Sequence, residues 1–255
     1  MKVVTLTKKK LFMLSICVIV AVCVLNVVVQ TAVKSVNTVT SERDIPIYCV
    51  DRSEKIVSIS FDAAWGNEQT NTLLDILDKY NVKTTFFLVG AWVDKYPDSV
   101  KEIAKRGHDI GNHSDTHPHM TQQSTDDQMK EISNCNEKVK KLTGKMPTLF
   151  RPPYGDYDNS VVGSVKKSNM YCVQWDVDSL DWKDPTPSQM VERIKGKISN
   201  GSIILLHNGA KNTPEALPMI IEAIRQQGYE IVPISKILLT GKYTTNHEGR
   251  MIAAN

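Results

Sequence analysis

From residue 45 onward, short apolar runs alternate with stretches of helical spacing. Residues 56–61, 84–89, 109–111, 149–150, 170–175, 202–206 and 229–232 read as strands, because each is an apolar run bounded by polar or glycine-bearing turns. Between them, 67–80 places Leu73, Leu74, Ile76 and Leu77 on one helical face, and 99–106, 125–142, 159–167, 188–198 and 214–227 read as further helices. The helix over 125–142 is polar and long, and Gly144 stops it. This alternation implies parallel strands joined by helical crossovers. Seven such units in about 190 residues predict a small (β/α) barrel, with a doubly wound open sheet as the alternative.

The N-terminal pattern is of another kind. Residues 11–33 contain no charge and follow Lys8, Lys9 and Lys10. About 20 apolar residues cross a bilayer, and flanking cations stay on the cytoplasmic side. The expectation is an uncleaved signal-anchor, with a cleaved signal peptide as the alternative. The chain then divides into a cytoplasmic basic segment (1–10), a transmembrane helix (11–33) with the membrane as its partner, a linker (34–48), a globular domain (49–240) outside the cell membrane and a tail (241–255).

Charge sharpens this division. The 255 residues carry 31 Lys and Arg against 28 Asp and Glu, but residues 1–40 hold five basic residues and no acidic one. The remainder is close to neutral, which argues against a nucleic-acid partner. An apolar share of 41% suits a packed core. Cys49, Cys135 and Cys172 lie outside the N-terminal run and can form one disulfide at most; buried thiols are expected for Cys135 and Cys172.

Residues suited to chemistry sit just past the C-terminal ends of strands: Asp62, His113, Arg151, Asp178, Asp181 and His207. Barrels of parallel strands build sites on that face from several strands, so the spread favours a barrel over an open sheet. His113 and His117 have a spacing suited to a divalent ion, or are two surface histidines, with His119 a bystander beyond Pro118. Asp62 is a strand-end carboxylate or a helix cap. Two prolines stiffen Arg151-Pro152-Pro153-Tyr154-Gly155, which holds an arginine and a backbone N–H in set directions or is a plain rigid turn. Asp176, Asp178 and Asp181 gather beside Trp175 and Trp182. His207 closes an apolar strand as a core residue or as an acid/base.

In this order, the motifs resemble the polysaccharide deacetylase domain (carbohydrate esterase family 4, NodB homology) over residues 45–240. Phe61-Asp62 resembles the first motif, His113-Ser114-x-x-His117 the second and Arg151-x-Pro153-Tyr154 the third. Asp178-x-x-Asp181-Trp182 resembles the fourth and Leu205-x-His207 the fifth. The chain is most similar to a membrane-anchored, sporulation-associated branch. The resemblance implies a deformed (β/α)7 barrel that hydrolyses N-acetyl groups on an amino-sugar polymer, with cell-wall peptidoglycan as the glycan partner. It implies a divalent metal, zinc, on His113 and His117. Asp62 would be the general base, held by Arg151, and the Tyr154 N–H would serve the oxyanion. His207 would be the general acid, steadied by Asp181. Trp182, Leu205 and Pro153 would line the acetyl pocket, and Trp65 would be a sugar platform. Ala63 departs from the pattern, since most of the family has there an Asp that is the third metal ligand. A glycan-binding barrel with little or no turnover is therefore the alternative function, and an unrelated metal hydrolase is a second one.

Overall fold

The computed structural model describes residues 8–37 and 43–254. The chain divides into two units, Met1–Arg43 and Asp44–Asn255. In the first, α1 (Lys8–Asn37) is a single 30-residue helix. Among the described residues no helix is long and apolar enough to cross a membrane. That overturns the single-pass anchor expected at 11–33, and with it the membrane partner and the membrane localisation. Residues 1–7 of the expected cytoplasmic segment and residues 38–42 of the expected linker lie outside the described residues.

The second unit carries eleven described strands. They are β1 (Cys49–Val50), β2 (Ile56–Ala63), β3 (Thr85–Leu88), β4 (Asp109–Asn112), β5 (Leu149–Phe150), β6 (Tyr171–Cys172), β7 (Val177–Asp178), β8 (Ile203–His207), β9 (Glu230–Ile231), β10 (Tyr243–Thr245) and β11 (Arg250–Ala253). The helices are α2 (Thr70–Lys79), α3 (Gly90–Lys95), α4 (Pro97–Lys105), α5 (Thr125–Thr143), α6 (Asn159–Lys167), α7 (Pro187–Lys195), α8 (Thr213–Gln226) and α9 (Ile234–Ile237).

The main sheet runs β6-β5-β4-β3-β2-β8-β7, with β9 pairing the start of β2, and all of its pairs are parallel. The central strand β2 is buried at seven of its eight positions, as expected for a parallel strand covered on both faces. Its two hydroxyls are satisfied internally: Ser58 Oγ donates to the Val232 carbonyl and Ser60 Oγ to that of Ile204. Phe61 and Phe86 stack at 4.9 Å in the core beneath.

The expected deformed (β/α)7 barrel takes the form of an open half-barrel of parallel strands. Of the run 170–175, read as one strand, only Tyr171–Cys172 is strand (β6); β7 follows beyond it at Val177–Asp178, and these two edges do not pair with each other. The backbone between them is satisfied from elsewhere. Val173 bridges Ile47, and the Gln174 N–H donates to the Ile47 carbonyl at 2.7 Å. Cys49 bridges Ser202, and β1 also pairs in parallel with β11 of a separate three-stranded sheet. Residues 47–50 thus occupy the seam that a closed barrel would seal with strand pairing. Cys49, Cys135 and Cys172 are buried free thiols.

Gly201 lets this seam segment approach. Its φ is +77°, and a Cβ there would run into the Val50 carbonyl; the Val50 N–H donates to the Gly201 carbonyl at 3.0 Å. Gly201→Ala is expected to lower the unfolding free energy by about 2 kcal/mol, read from the midpoint of urea denaturation.

Candidate active site

The C-terminal ends of β2, β4, β5, β7 and β8 meet around a cavity of about 500 Å³. Asp62 and His207 stand opposite each other in the β2–β8 register, and both line the cavity with Trp65, His113, His117 and Tyr154. Trp175, Asp178, Trp182, Leu205 and Ala64 complete the wall. The sequence-derived residues therefore converge, with three placed differently. Arg151 and Asp181 have no exposed surface and act from behind the wall, and Pro153 is buried rather than on it.

Arg151 is the hub. Its Nη1 donates to Asp62 Oδ1 at 2.7 Å, and its Nη2 to Ser60 Oγ at 2.9 Å and to the Gln174 carbonyl at 3.0 Å. The guanidinium lies 4.1 Å from the Phe87 ring centroid and 5.5 Å from that of Trp175. Burial works to raise the Asp62 pKa, but the Arg151 charge, with His113 and His207, outweighs it and holds the carboxyl below the ordinary range. The backbone carbonyl of Arg151 accepts the His113 Nδ1–H at 2.7 Å, which leaves the Nε2 lone pair 3.5 Å from Asp62 Oδ2. Burial lowers the His113 pKa and pushes His117 down to about 4, so both rings are neutral near pH 7.

The loop after β4 owes its shape to local side chains. Asn112 Oδ1 accepts the Ser114 N–H, and Ser114 Oγ accepts the His117 N–H. Ser114 and His117 adopt φ of 67° and 62°, and these bonds help hold that strained backbone. Glu131 on α5 clamps the same loop by accepting from the backbone N–H of Asp115 and Thr116 and from Thr116 Oγ1. His117 ends up between His113 and Tyr154, with ring centroids at 4.9 and 4.5 Å. His119 does not line the cavity; its ring stacks on Tyr154 at 4.3 Å.

On the other side, His207 Nδ1 meets Asp181 Oδ1 at 2.7 Å. Asp181 Oδ2 accepts the His207 backbone N–H and the Thr213 hydroxyl. Desolvation pulls the His207 pKa down, but the Asp181 hydrogen bond and charge, with Asp62 and Asp178, outweigh it, and the net shift is upward. The Trp65 ring lies over the imidazole at 5.2 Å. Glu131, Thr213 and Ser60 had no signal in the sequence, since each is an isolated polar residue within an element. Trp175 was noted there only as a neighbour of the acidic loop.

A metal is a separate question. Catalytic zinc ordinarily takes three protein ligands. Among the described residues no three His, Cys, Asp or Glu side chains are grouped to hold an ion. Ala63 is fully buried, its methyl part of the apolar core. The zinc expected on His113 and His117 therefore lacks a third donor. The residues do not fit such a centre, and no step below passes through a metal.

A half-barrel of parallel strands with a carboxylate–arginine pair facing a histidine–carboxylate pair defines a class of hydrolase-like α/β proteins. The polysaccharide deacetylase family model matches residues 50–173. The "Uncharacterized protein YlxY" of Bacillus subtilis is 37% identical over 76% of this chain, which spans 60% of that protein's length. The "Peptidoglycan-N-acetylmuramic acid deacetylase PdaA" of the same organism is 32% identical over 80% of this chain and 79% of its own. Among solved structures, BA3943 from Bacillus anthracis, described as a CE4 family pseudoenzyme, is 35% identical with a TM-score of 0.73, covering 75% of this chain and 68% of its own. This chain belongs to the polysaccharide deacetylase family.

The buried pair makes a stability prediction. Arg151→Met leaves Asp62 an unpaired buried carboxylate, at a cost of about 3–5 kcal/mol near pH 7. The lowered Asp62 pKa means that the wild-type pair contributes fully above the unfolded-state carboxylate pKa of about 4, and that this contribution is lost as pH falls through the folded value. In the variant burial is no longer opposed by Arg151 and raises the Asp62 pKa, so the variant recovers stability as that carboxyl takes up a proton, and the gap to wild type, measured by chemical denaturation, is expected to narrow from pH 7 towards pH 4.

Proposed function

We propose that this protein is a hydrolase that removes N-acetyl groups from an amino-sugar polymer, with cell-wall peptidoglycan as its substrate. One observation carries the reading: Asp62 and His207 are neighbours in register at one cavity, and their surroundings push their pKa values apart. Groups separated in this way can be ionised base and protonated acid at one pH. The names of family relatives such as PdaA support the choice of substrate class.

In this reading the acetamide enters the aromatic cavity beside Trp182 and Leu205, with a sugar face on Trp65. Water adds to the amide carbonyl carbon while Asp62 takes its proton. Arg151 keeps Asp62 ionised and aimed, although the lowered pKa makes it a weak base. Negative charge on the former carbonyl oxygen is stabilised by the Tyr154 N–H, whose residue is held at φ 60° on the turn between Arg151 and Gly155. His207 gives its proton to the departing nitrogen as the C–N bond breaks, and Asp181 stabilises the imidazolium. Acetate and a free amine result.

Asp62→Asn and His207→Ala are each expected to lower acetate release from purified peptidoglycan by about two orders of magnitude or more, with the fold retained by circular dichroism. Near-normal release from either folded variant refutes the assignment. Glycan binding by the wild type without acetate release would instead favour a barrel that binds and does not turn over.

The pH profile gives a further test. Rate falls on the acid side as Asp62 gains a proton at its lowered pKa, and on the basic side as His207 loses one at its raised pKa. Asp181→Asn removes the charge and the acceptor that hold His207 protonated, so the basic limb is expected to move to lower pH while the acid limb stays. An unmoved basic limb means that His207 is not the acid.

A further inference from the structure

A second cavity, of about 420 Å³, lies at the opposite end of the strands from Asp62 and His207. It is walled by the first residues of β4 and β5, by α4 and by the C-terminal end of α5. Nothing in the deacetylase reading uses it.

Three features point to a ligand. Lys101, Lys105 and Lys145 line the cavity against one carboxylate, Asp109, which already accepts from the Ser235 N–H and the Thr85 hydroxyl. Lys101 and Lys105 contact Asp98 and Glu102 only as exposed i,i+3 pairs, which hold a lysine weakly. Lys145 is exposed and makes no ion pair among the described residues. Below the lysines the wall is apolar, with Ile110, Val139, Leu142 and Leu149, while Met146 at the rim is 43% exposed.

The third feature is His108, which lines the same cavity and is only 6% exposed. Its Nδ1 accepts the Thr84 backbone N–H at 3.2 Å, so a neutral ring carries its proton on Nε2. Burial, with the Lys83 charge, pushes the ring down to about 4, which keeps it neutral near pH 7. Nε2 has no partner among the described residues. A buried donor left unmatched is destabilising, so an acceptor is owed to it.

We propose that this cavity binds a small amphiphilic anion, with its charged head among the three lysines, its apolar body against the Ile110 and Leu149 wall, and a hydrogen-bond acceptor at its inner end taking the His108 Nε2–H. A carboxylate or a phosphate head satisfies the lysines equally. The inference does not rest on the deacetylase reading.

The full chain, labelled with ¹⁵N, is titrated with 4-acetylbenzoate and, in a separate arm, with 4-acetylphenyl phosphate; the tighter arm names the head group. Saturable shifts are expected at the His108 Nε2–H and the Met146 amide, with Trp65 and His207 unmoved. Lys145→Glu reverses an exposed, unpaired charge and is expected to weaken binding about tenfold. Neutral 4-methylacetophenone should bind more weakly by a similar factor. The analogue 4-ethylbenzoate lacks the acceptor, and is expected to move Met146 while leaving the His108 Nε2–H in place. The proposal is overturned if millimolar probe in both arms leaves His108 unshifted, as it would were an ordered water the only partner of Nε2. Equal affinity in Lys145→Glu, or shifts confined to the Trp65 cavity, overturns it as well.

Discussion

A fully buried guanidinium needs strong partners, and that need organises the second unit. Arg151 at the end of β5 reaches Asp62 and Ser60 on β2, the Gln174 carbonyl just past β6, and the face of Phe87 on β3. One cation therefore ties four neighbouring parts of the sheet together at the end where the cavity opens. Removing it from water is costly, and the compensation comes from strong charge-assisted bonds in a medium of low dielectric. The same residue orients a second group through its backbone, because its carbonyl fixes the His113 tautomer.

Across the cavity the logic is reversed in sign. Asp181 is a fully buried anion that spends one oxygen on the His207 ring and the other on the His207 backbone and the Thr213 hydroxyl. The carboxylate on β2 is thus tuned by a buried cation, and the imidazole on β8 by a buried anion. Both tuning groups stand behind the wall while the tuned ones face the cavity. A pair of opposite buried charges can hold two functional groups in different protonation states without exposing itself to solvent screening.

Much of this was legible in the sequence. The long central strands announce themselves as apolar runs, the crossover helices as periodic faces, and the reactive residues as polar groups at strand ends. What escaped notice was short or non-local. Helix α3 has six residues, too few for its periodicity to stand out. Strands β5, β6 and β7 have two residues each, so the run 170–175 looked like one strand when its middle is in fact paired to Ile47. The clamp from Glu131 and the hydroxyls of Ser60 and Thr213 are single polar residues within regular elements, and nothing in their spacing marks them. The bilayer span expected from the uncharged, apolar run at 11–33 is not borne out, since among the described residues no helix is long and apolar enough to cross a membrane.

The open seam has a consequence for how the molecule is made. Residues 47–50 leave the ribosome about 200 residues ahead of β11, their parallel partner, and well ahead of Gly201, which also receives them. Until those later segments arrive, the edge of β6 has its stopper but the stopper has no backing. The final assembly of the domain accordingly waits on the meeting of segments from opposite ends of the unit. The latest part to set is the seam itself, while the Arg151 hub can be in place before it.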